Sequence, residues 1–245
     1  MTRWPAGFGL LELAEVDSTN EEARRRAQGG EKGPLWIAAA RQTAGRGRRG
    51  RSWVLQPGNL AATLMIRPER PAAACAQLSF AAALAVADML AGTLRNAELR
   101  LKWPNDVLAG EKKIAGILLE SESGADGLAW LAIGIGVNLA AFPEDTDLPA
   151  TSVKALGAVP PTPAEALGDL AASFAKWYEA WREAGFAPLR EAWLARASGL
   201  GRRIRVRLAQ EEIVGTFRDL DETGGLVLGL PGGVTRTVSA GEVFF

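Results

Sequence analysis

The sequence predicts an α+β protein, a mixed central β-sheet flanked by helices, followed by a small all-β domain. Three observations carry this expectation. Up to residue 198, apolar runs of strand length interleave with longer segments whose apolar residues recur at helical spacing. After Gly199-Leu200-Gly201, only short strand-like runs remain, separated by glycine and acidic turns. The composition, 48% apolar and 23% charged over 245 residues, is that of a globular chain with room for one large core and a small companion. The expected domains are therefore residues 1–198 and 199–245.

Taken in order, LLELAEV (10–16) alternates enough for a strand. In DSTNEEARRRAQGG (17–30), Ser18 or Thr19 can cap a helix with acids in its first turn, and Gly29-Gly30 stops it. LWIAAARQ (35–42) and NLAATLMIRP (59–68) have the length and content of strands. Residues 72–94 form the longest helical candidate. ELRLKWP (98–104) reads as a short strand stopped by Pro104. KKIAGILLESE (112–122) and LAWLAIGIGVNLA (128–140) read as two strands around the turn SGADG (123–127). Residues 161–197 carry helical spacing in two pieces, broken near Gly185. The tail offers five short strands: RRIRVRLA, EEIVGTFRDL, GLVLGL, VTRTVS and EVFF.

What the composition lacks is informative. With no histidine, serine–histidine and cysteine–histidine nucleophile pairs and histidine-ligated zinc are excluded. The single cysteine, Cys75, can form neither an internal disulfide nor a zinc cluster, and reads as a small core residue. No protein metal ligands are expected. No uninterrupted apolar run reaches the ~18 residues of a membrane span, and the N-terminus lacks the pattern of a signal peptide. A cytoplasmic location without membrane contact is expected. Net charge is zero, against the basic balance of a general nucleic-acid binder. Locally, however, residues 41–53 hold five arginines and no acid.

That segment, Arg41-Gln-Thr-Ala-Gly-Arg-Gly-Arg-Arg-Gly-Arg-Ser-Trp53, has too many glycines for a stable helix or strand. Gly45, Gly47 and Gly50 let the backbone approach a ligand closely, successive amides can form an anion nest, and arginine grips phosphate or carboxylate with paired donors. It is not a P-loop, because the glycine–lysine–serine/threonine ending is missing. A mobile surface loop and an arginine-rich nucleic-acid patch are the other readings. A second segment, Leu101-Lys-Trp-Pro-Asn-Asp-Val-Leu, puts Asn105 and Asp106 at a strand-to-turn junction. Lys113 follows seven residues after Asp106, at the head of an apolar run. A lysine there can point its charge into a pocket. A plain hairpin across 105–113 explains the same residues.

Together, these segments resemble biotin–protein ligases. The arginine–glycine loop is similar to that family's biotinyl-adenylate loop. Lys102-Trp-Pro-Asn-Asp106, Lys113-Ile-Ala-Gly-Ile-Leu-Leu-Glu120, Gly134-Ile-Gly-Val-Asn138 and Asp17-Ser-Thr-Asn20 match its other signatures in order and spacing. The likeness is strong over about residues 10–140 and weaker over 200–245. It implies a catalytic domain related to class II tRNA synthetases and an SH3-like C-terminal barrel. It also implies roles for individual residues. Ser18, Thr19 and Asn20 would line the biotin pocket and bond the ureido ring. Gln42, Gly45, Arg46, Gly47 and Arg48 would hold biotin and its activated carboxyl, with Leu118 beside it. Gly116, Gly134 and Gly136 would allow close approach. Lys113 would contact the carboxyl and the α-phosphate. Trp53 would stack on adenine, and Arg46, Arg48, Arg49, Arg51, Lys102, Asn105 and Asn138 would serve the nucleotide. Lys113, Arg48 and Asp106 are the implied catalytic groups, with Asp106 orienting or deprotonating the incoming amine.

The implied reaction needs no histidine. Biotin's carboxylate attacks the α-phosphate of ATP, Mg2+ assists pyrophosphate departure, and a lysine of a carrier protein then attacks the mixed anhydride. The implied partner is a biotin carboxyl carrier protein, a subunit of acetyl-CoA carboxylase. Relatives pair through a sheet edge, and no residue here decides for or against a homodimer. About 16 residues precede the first motif, too few for the helix-turn-helix domain some relatives carry, so a ligase-only form without DNA binding is expected. Two other functions stay open: a lipoate ligase, and an RNA-binding module built on the arginine loop and the C-terminal strands, which few exposed aromatics support.

Overall fold

The computed structural model describes residues 3–124, 127–144, 146 and 148–245. Among the described residues there are two sheets. The larger has seven strands in the order β1-β2-β3-β7-β6-β5-β4. These are β1 (Gly9–Val16), β2 (Leu35–Gln42), β3 (Leu60–Ile66), β4 (Leu99–Lys102), β5 (Asp106–Ala109), β6 (Lys112–Gly124) and β7 (Gly127–Val137). Strands β1 and β2 are parallel, joined through helix α1 (Thr19–Gln28), and every other pairing is antiparallel. The sheet is mixed, as the sequence leads one to expect. Residues 125 and 126 of the expected 123–127 turn lie outside the described residues.

The remaining helices are α2 (Ala72–Cys75), α3 (Leu78–Thr93), α4 (Pro163–Ala184) and α5 (Ala187–Leu194). Two expectations are corrected here. Residues 72–94 are not one helix, and the longest helix is α4 at 22 residues. The break falls at Ala76–Gln77, where long-range bonds hold Gln77. Its Nε2 donates to Glu222 O (3.1 Å), and its Oε1 accepts from Trp181 Nε1 (2.8 Å). The backbone of Ala76 and Gln77 stays right-handed helical, so the two helices follow one another across a tighter turn. The segment 72–93 is long and apolar enough to cross a membrane, but 72% of its apolar window is buried inside the protein, where α3 forms the core against α4. Helix α4 starts at a capping box: Glu165 N donates to Thr162 Oγ1, and Thr162 N donates back to Glu165 Oε2.

The smaller sheet is antiparallel, in the order β11-β10-β9-β8-β12: β8 (Arg203–Arg207), β9 (Glu212–Leu220), β10 (Leu226–Gly229), β11 (Thr235–Val238) and β12 (Glu242–Phe244). All five expected tail strands are present. One hydrophobic cluster runs from the large sheet through α3, α4 and α5 into this second sheet. Trp193 of α5 meets Phe80 on one side and Phe217 on the other, and Trp103 Nε1 donates to Gly224 O (3.0 Å). The small sheet is therefore docked beside β4 and β5, which brings β12 to the edge of the arginine–glycine loop.

Candidate active site

Side chains alternate between the two faces of a strand, so register decides which residues meet. On one face of the large sheet, Leu60, Ala62 and Leu64 of β3, Val137, Ile135 and Ile133 of β7, and Ala115 and Ile117 of β6 lie side by side in the main core. The opposite face carries three rows. The first is Ala61–Gly136–Gly116–Asp106, the second Thr63–Gly134–Leu118 and the third Met65–Ala132–Glu120. Helix α1 packs on the third row, where Ala23 and Ala27 meet Met65 and Ala132. Its N-terminus reaches the second row, and the arginine–glycine loop covers the first. Four sequence-distant motifs therefore converge on one face.

The α1 end is polar and closed. Ser18, Thr19 and Asn20 are each 4% exposed. Ser18 is the N-cap, in extended conformation, and makes no side-chain capping bond. Thr19 N and Oγ1 both donate to Gln42 Oε1 (2.8 and 3.1 Å). Asn20 Nδ2 donates to Glu120 Oε2 (2.7 Å), while Thr63 Oγ1 lies 2.6 Å from Asn20 Oδ1 and 2.8 Å from Thr19 Oγ1. The Asn20 amide rests on Gly134: a Cβ there would lie 2.3 Å from Asn20 Oδ1. Asp17, just before, receives both terminal nitrogens of Arg25 (2.9 and 2.7 Å). That hydrogen bonding holds the Asp17 carboxyl at about 2, down from 3.8. A depressed carboxylate contributes stability above its unfolded pKa and loses it as pH falls through the folded one. Asp17→Asn should therefore lower the melting temperature by roughly 1–3 °C at pH 6, a small effect for so exposed a pair. The difference should close between about pH 4 and pH 2, as a thermal melt series would show.

The opposite end is cationic. The loop folds back on itself: Gly47 N donates to Arg51 O (2.7 Å) and Trp53 N to Gly45 O (2.9 Å). Arg49 takes a left-handed φ of 55°, the tight point of the turn. A Cβ at Gly45 would lie 2.3 Å from Trp53 O, so the closure requires glycine. Residues 46–51 with Leu118 and Glu120 enclose a cleft of about 410 Å³. Arg48 Nη1 donates to Asn105 Oδ1 (3.1 Å), and Asn105 Nδ2 to Ile117 O (2.6 Å). Burial pulls the Arg48 pKa below its ordinary value, and the guanidinium stays charged. Lys113 Nζ lies 2.6 Å from Asp106 Oδ1, at angles that leave this buried oxygen without a directed hydrogen bond. Trp53 lies flat on the first row, its ring 2.2 Å from where a Cβ of Gly136 would stand and 3.2 Å from that of Gly116. Lys113 Nζ is 5.7 Å from the ring centre.

The other sequence-predicted residues sit around these. Lys102 is 5% exposed, with Phe244 and Phe245 rings 5.8 and 5.9 Å from its Nζ, and burial pushes its pKa down. Arg46 Nη2 contacts Glu21 Oε2 (3.0 Å) and Glu120 Oε2 (3.2 Å). Arg49 and Arg51 turn the other way, to Glu242 of β12 (3.3 and 2.5 Å). Burial would raise the Glu242 pKa, but the Arg51 hydrogen bond and charge outweigh it and hold the carboxyl low. Asn138 is buried past the end of β7, where its Nδ2 donates to Thr151 O (3.1 Å) and braces segment 149–153, itself bound to Lys113. Sequence reasoning assigned no role to Thr63, Glu21, Glu120 or Glu242. Glu120 alone carried a signal, since it is in phase with Gly116 and Leu118 on one strand face. The site face thus passes from a buried polar end, over glycines covered by Asn20 and Trp53, to the open cleft with clustered cations suited to carboxylate and phosphate.

A family model described as Biotin/lipoate A/B protein ligase family matches residues 13–138, and one described as Biotin protein ligase C terminal domain matches residues 199–245. Over 239 residues the chain is 47% identical to biotin–[acetyl-CoA-carboxylase] ligase of Paracoccus denitrificans, covering 95% of this chain and 99% of that protein. It is 37% identical to the Mycobacterium tuberculosis protein of the same name, covering 97% and 90%. Among solved structures, the fold is similar to biotin protein ligase from Aquifex aeolicus in complex with biotin and ATP, with a TM-score of 0.81, 29% identity and coverage of 96% and 97%.

Proposed function

Because this chain belongs to the biotin/lipoate A/B protein ligase family, we propose the following division of labour in its cleft. The chain is an ATP-dependent ligase that joins biotin to a carboxylase protein. Biotin's ring system enters the closed end, against Ser18, Thr19, Asn20 and Gln42, over Gly134 and beside Leu118. Its carboxylate reaches Lys113, Arg46 and Arg48. ATP's adenine meets Trp53 above Gly116 and Gly136, and its phosphates meet Lys102, Arg48, Arg49 and Arg51. Asn105 fixes Arg48, and Asn138 braces the strand segment behind Lys113. We place the boundary between catalytic and C-terminal domains at residue 199.

The carboxylate, ionised at neutral pH, attacks the α-phosphorus and the bond to pyrophosphate breaks. Arg48 and Lys113 neutralise the charge that builds there. Among the described residues no three acidic or cysteine side chains cluster to hold a metal ion. Mg2+ would enter with the ATP phosphates, a common arrangement for this ion, and offset their charge. When Lys113 turns to the phosphate, Asp106 loses its partner and can accept a proton from the carrier lysine. The neutral amine attacks the acyl carbon, and AMP leaves. The carrier is a biotin carboxyl carrier subunit of acetyl-CoA carboxylase, modified in the cytoplasm.

One observation favours biotin over lipoate: the closed end is lined by the buried polar side chains of Thr19, Asn20 and Thr63. A cyclic urea can add hydrogen bonds at the capacity these groups keep beyond their mutual bonds, whereas a dithiolane can add none, and a site built to hydrogen-bond its substrate rejects the analogue that cannot. Pyrophosphate exchange into ATP, measured with purified protein and Mg2+, should require biotin and show no stimulation by lipoate. Exchange with lipoate alone would reassign the substrate.

A further inference from the structure

Glu120 occupies the third row of the site face, in register with Ala132, where α1 and the arginine–glycine loop both reach the sheet. Its side chain is 32% exposed. One carboxylate oxygen, Oε2, receives two donors from separate parts of the chain: Asn20 Nδ2 at 2.7 Å and Arg46 Nη2 at 3.2 Å. Glu21 of α1 grips the same Arg46 nitrogen from the other side at 3.0 Å, and its remaining oxygen is taken by Arg24 Nε at 2.7 Å.

An ionised carboxylate accepts hydrogen bonds and donates none. Facing Glu120 Oε2 at 2.7 Å and, more distantly, the Leu118 carbonyl at 3.4 Å, the Asn20 amide must therefore present its nitrogen. Its oxygen then points to the other side, over Gly134, within 2.6 Å of Thr63 Oγ1. Thr63 can fill one lone pair of that oxygen, and the second remains for a ligand N–H. With the amide turned round, the pocket would offer a donor there instead. Glu120, the nearer and charged of the two acceptors, thereby strengthens the orientation in which the closed end reads an N–H. Through Arg46, the same carboxylate holds the loop that covers the cleft.

We propose that Glu120 is a positioning residue that orients the Asn20 amide as an acceptor for a ring N–H of biotin and, by sharing one oxygen with Arg46, couples a correctly set head pocket to a docked loop. This rests on the biotin assignment above. Glu120 itself touches neither the reacting carboxyl nor the phosphates.

The test pairs biotin titration calorimetry with pyrophosphate-exchange kinetics on wild type, Glu120→Ala, Glu120→Gln, Arg46→Ala and the Glu120→Ala/Arg46→Ala double variant. Glu120→Ala should raise the biotin Kd and KM about tenfold or more, as expected for a lost charged hydrogen bond. Its KM for ATP should stay put, and kcat at saturating biotin should fall less than about threefold. Glu120→Gln, which keeps an acceptor oxygen but not the charge, should lie between. The double variant should be weaker by less than the product of the single effects, because both act through one contact. Biotin affinity unchanged in both Glu120 variants would overturn the proposal. So would a joint rise in the KM of biotin and ATP, or full additivity with Arg46→Ala. If wild type itself binds no biotin, the biotin assignment fails instead, and the calorimetry separates the two.

Discussion

Lys113→Ala should lower biotin-dependent pyrophosphate exchange by about 10²- to 10³-fold, the usual cost of deleting one preorganised charge-stabilising donor. The protein should remain folded. Lys113 enters the site from the head of β6, with its backbone pinned to segment 149–151 by Lys113 N to Pro149 O (2.8 Å) and Thr151 N to Lys113 O (2.9 Å). These bonds do not depend on the side chain. The ammonium pairs with Asp106 at 2.6 Å and lies 5.7 Å from the Trp53 ring centre, and its side chain is 26% exposed. Its removal leaves the Asp106 carboxylate, with its Oδ1 buried, without its cation, a cost in stability that a melting curve reads. The loss should fall on kcat, because the charge that Lys113 offsets grows as the phosphorus–oxygen bonds exchange. Exchange kinetics at saturating biotin and ATP, with a melting curve as the folding control, read both quantities. A variant that kept wild-type kcat would remove Lys113 from the chemistry.

Two alanine substitutions on β7, two residues apart, should damage different substrates. At Gly134 a methyl would sit 2.3 Å from Asn20 Oδ1, 3.0 Å from its Cγ and 3.1 Å from Nδ2, so the whole amide must leave. The buried donors and acceptors it served would be orphaned, at about 1–3 kcal/mol. Biotin KM should therefore rise roughly 10- to 100-fold in Gly134→Ala, with ATP KM little changed. At Gly136 the methyl would meet Trp53 at 2.2, 2.4 and 2.5 Å, lifting the indole off its floor. Gly136→Ala should raise ATP KM by a similar factor and spare biotin. Neither glycine has a left-handed φ, so backbone strain does not enter, and alanine is no worse than glycine inside a strand. The same KM pattern in both variants would contradict the separation of the two pockets along the sheet.

Much of this was legible in the chain. Strand and turn chemistry located β1, β2, β3, β4, β6, β7 and the five tail strands, because alternation and glycine-rich turns are local signals. Strand β5 was hidden, since Asn105-Asp106 reads equally well as a turn, and the hairpin with β4 places Asp106 in both roles. The helix expected over 72–94 divides at Ala76–Gln77, where the backbone bonds tighten to three-residue spacing, Gln77 N to Ala74 O (3.1 Å) and Phe80 N to Gln77 O (3.0 Å). The motif segments found in the sequence do meet on one sheet face, and the arginine–glycine segment singled out by its composition lines the cleft there.

By itself, then, the sequence determined the order of elements, the chemistry of the cleft and the absence of histidine from it. Those properties follow from residue type and short-range spacing. Only the tertiary structure decided which residues share a row. Thr63 faces Asn20, Glu120 meets Arg46, and Glu242 closes on Arg49 and Arg51, all from segments with no local relation. The reason lies in the sheet. A shift of one residue in the pairing of β3 or β6 would send Thr63 or Glu120 to the opposite face, and that register is set by packing over the whole core.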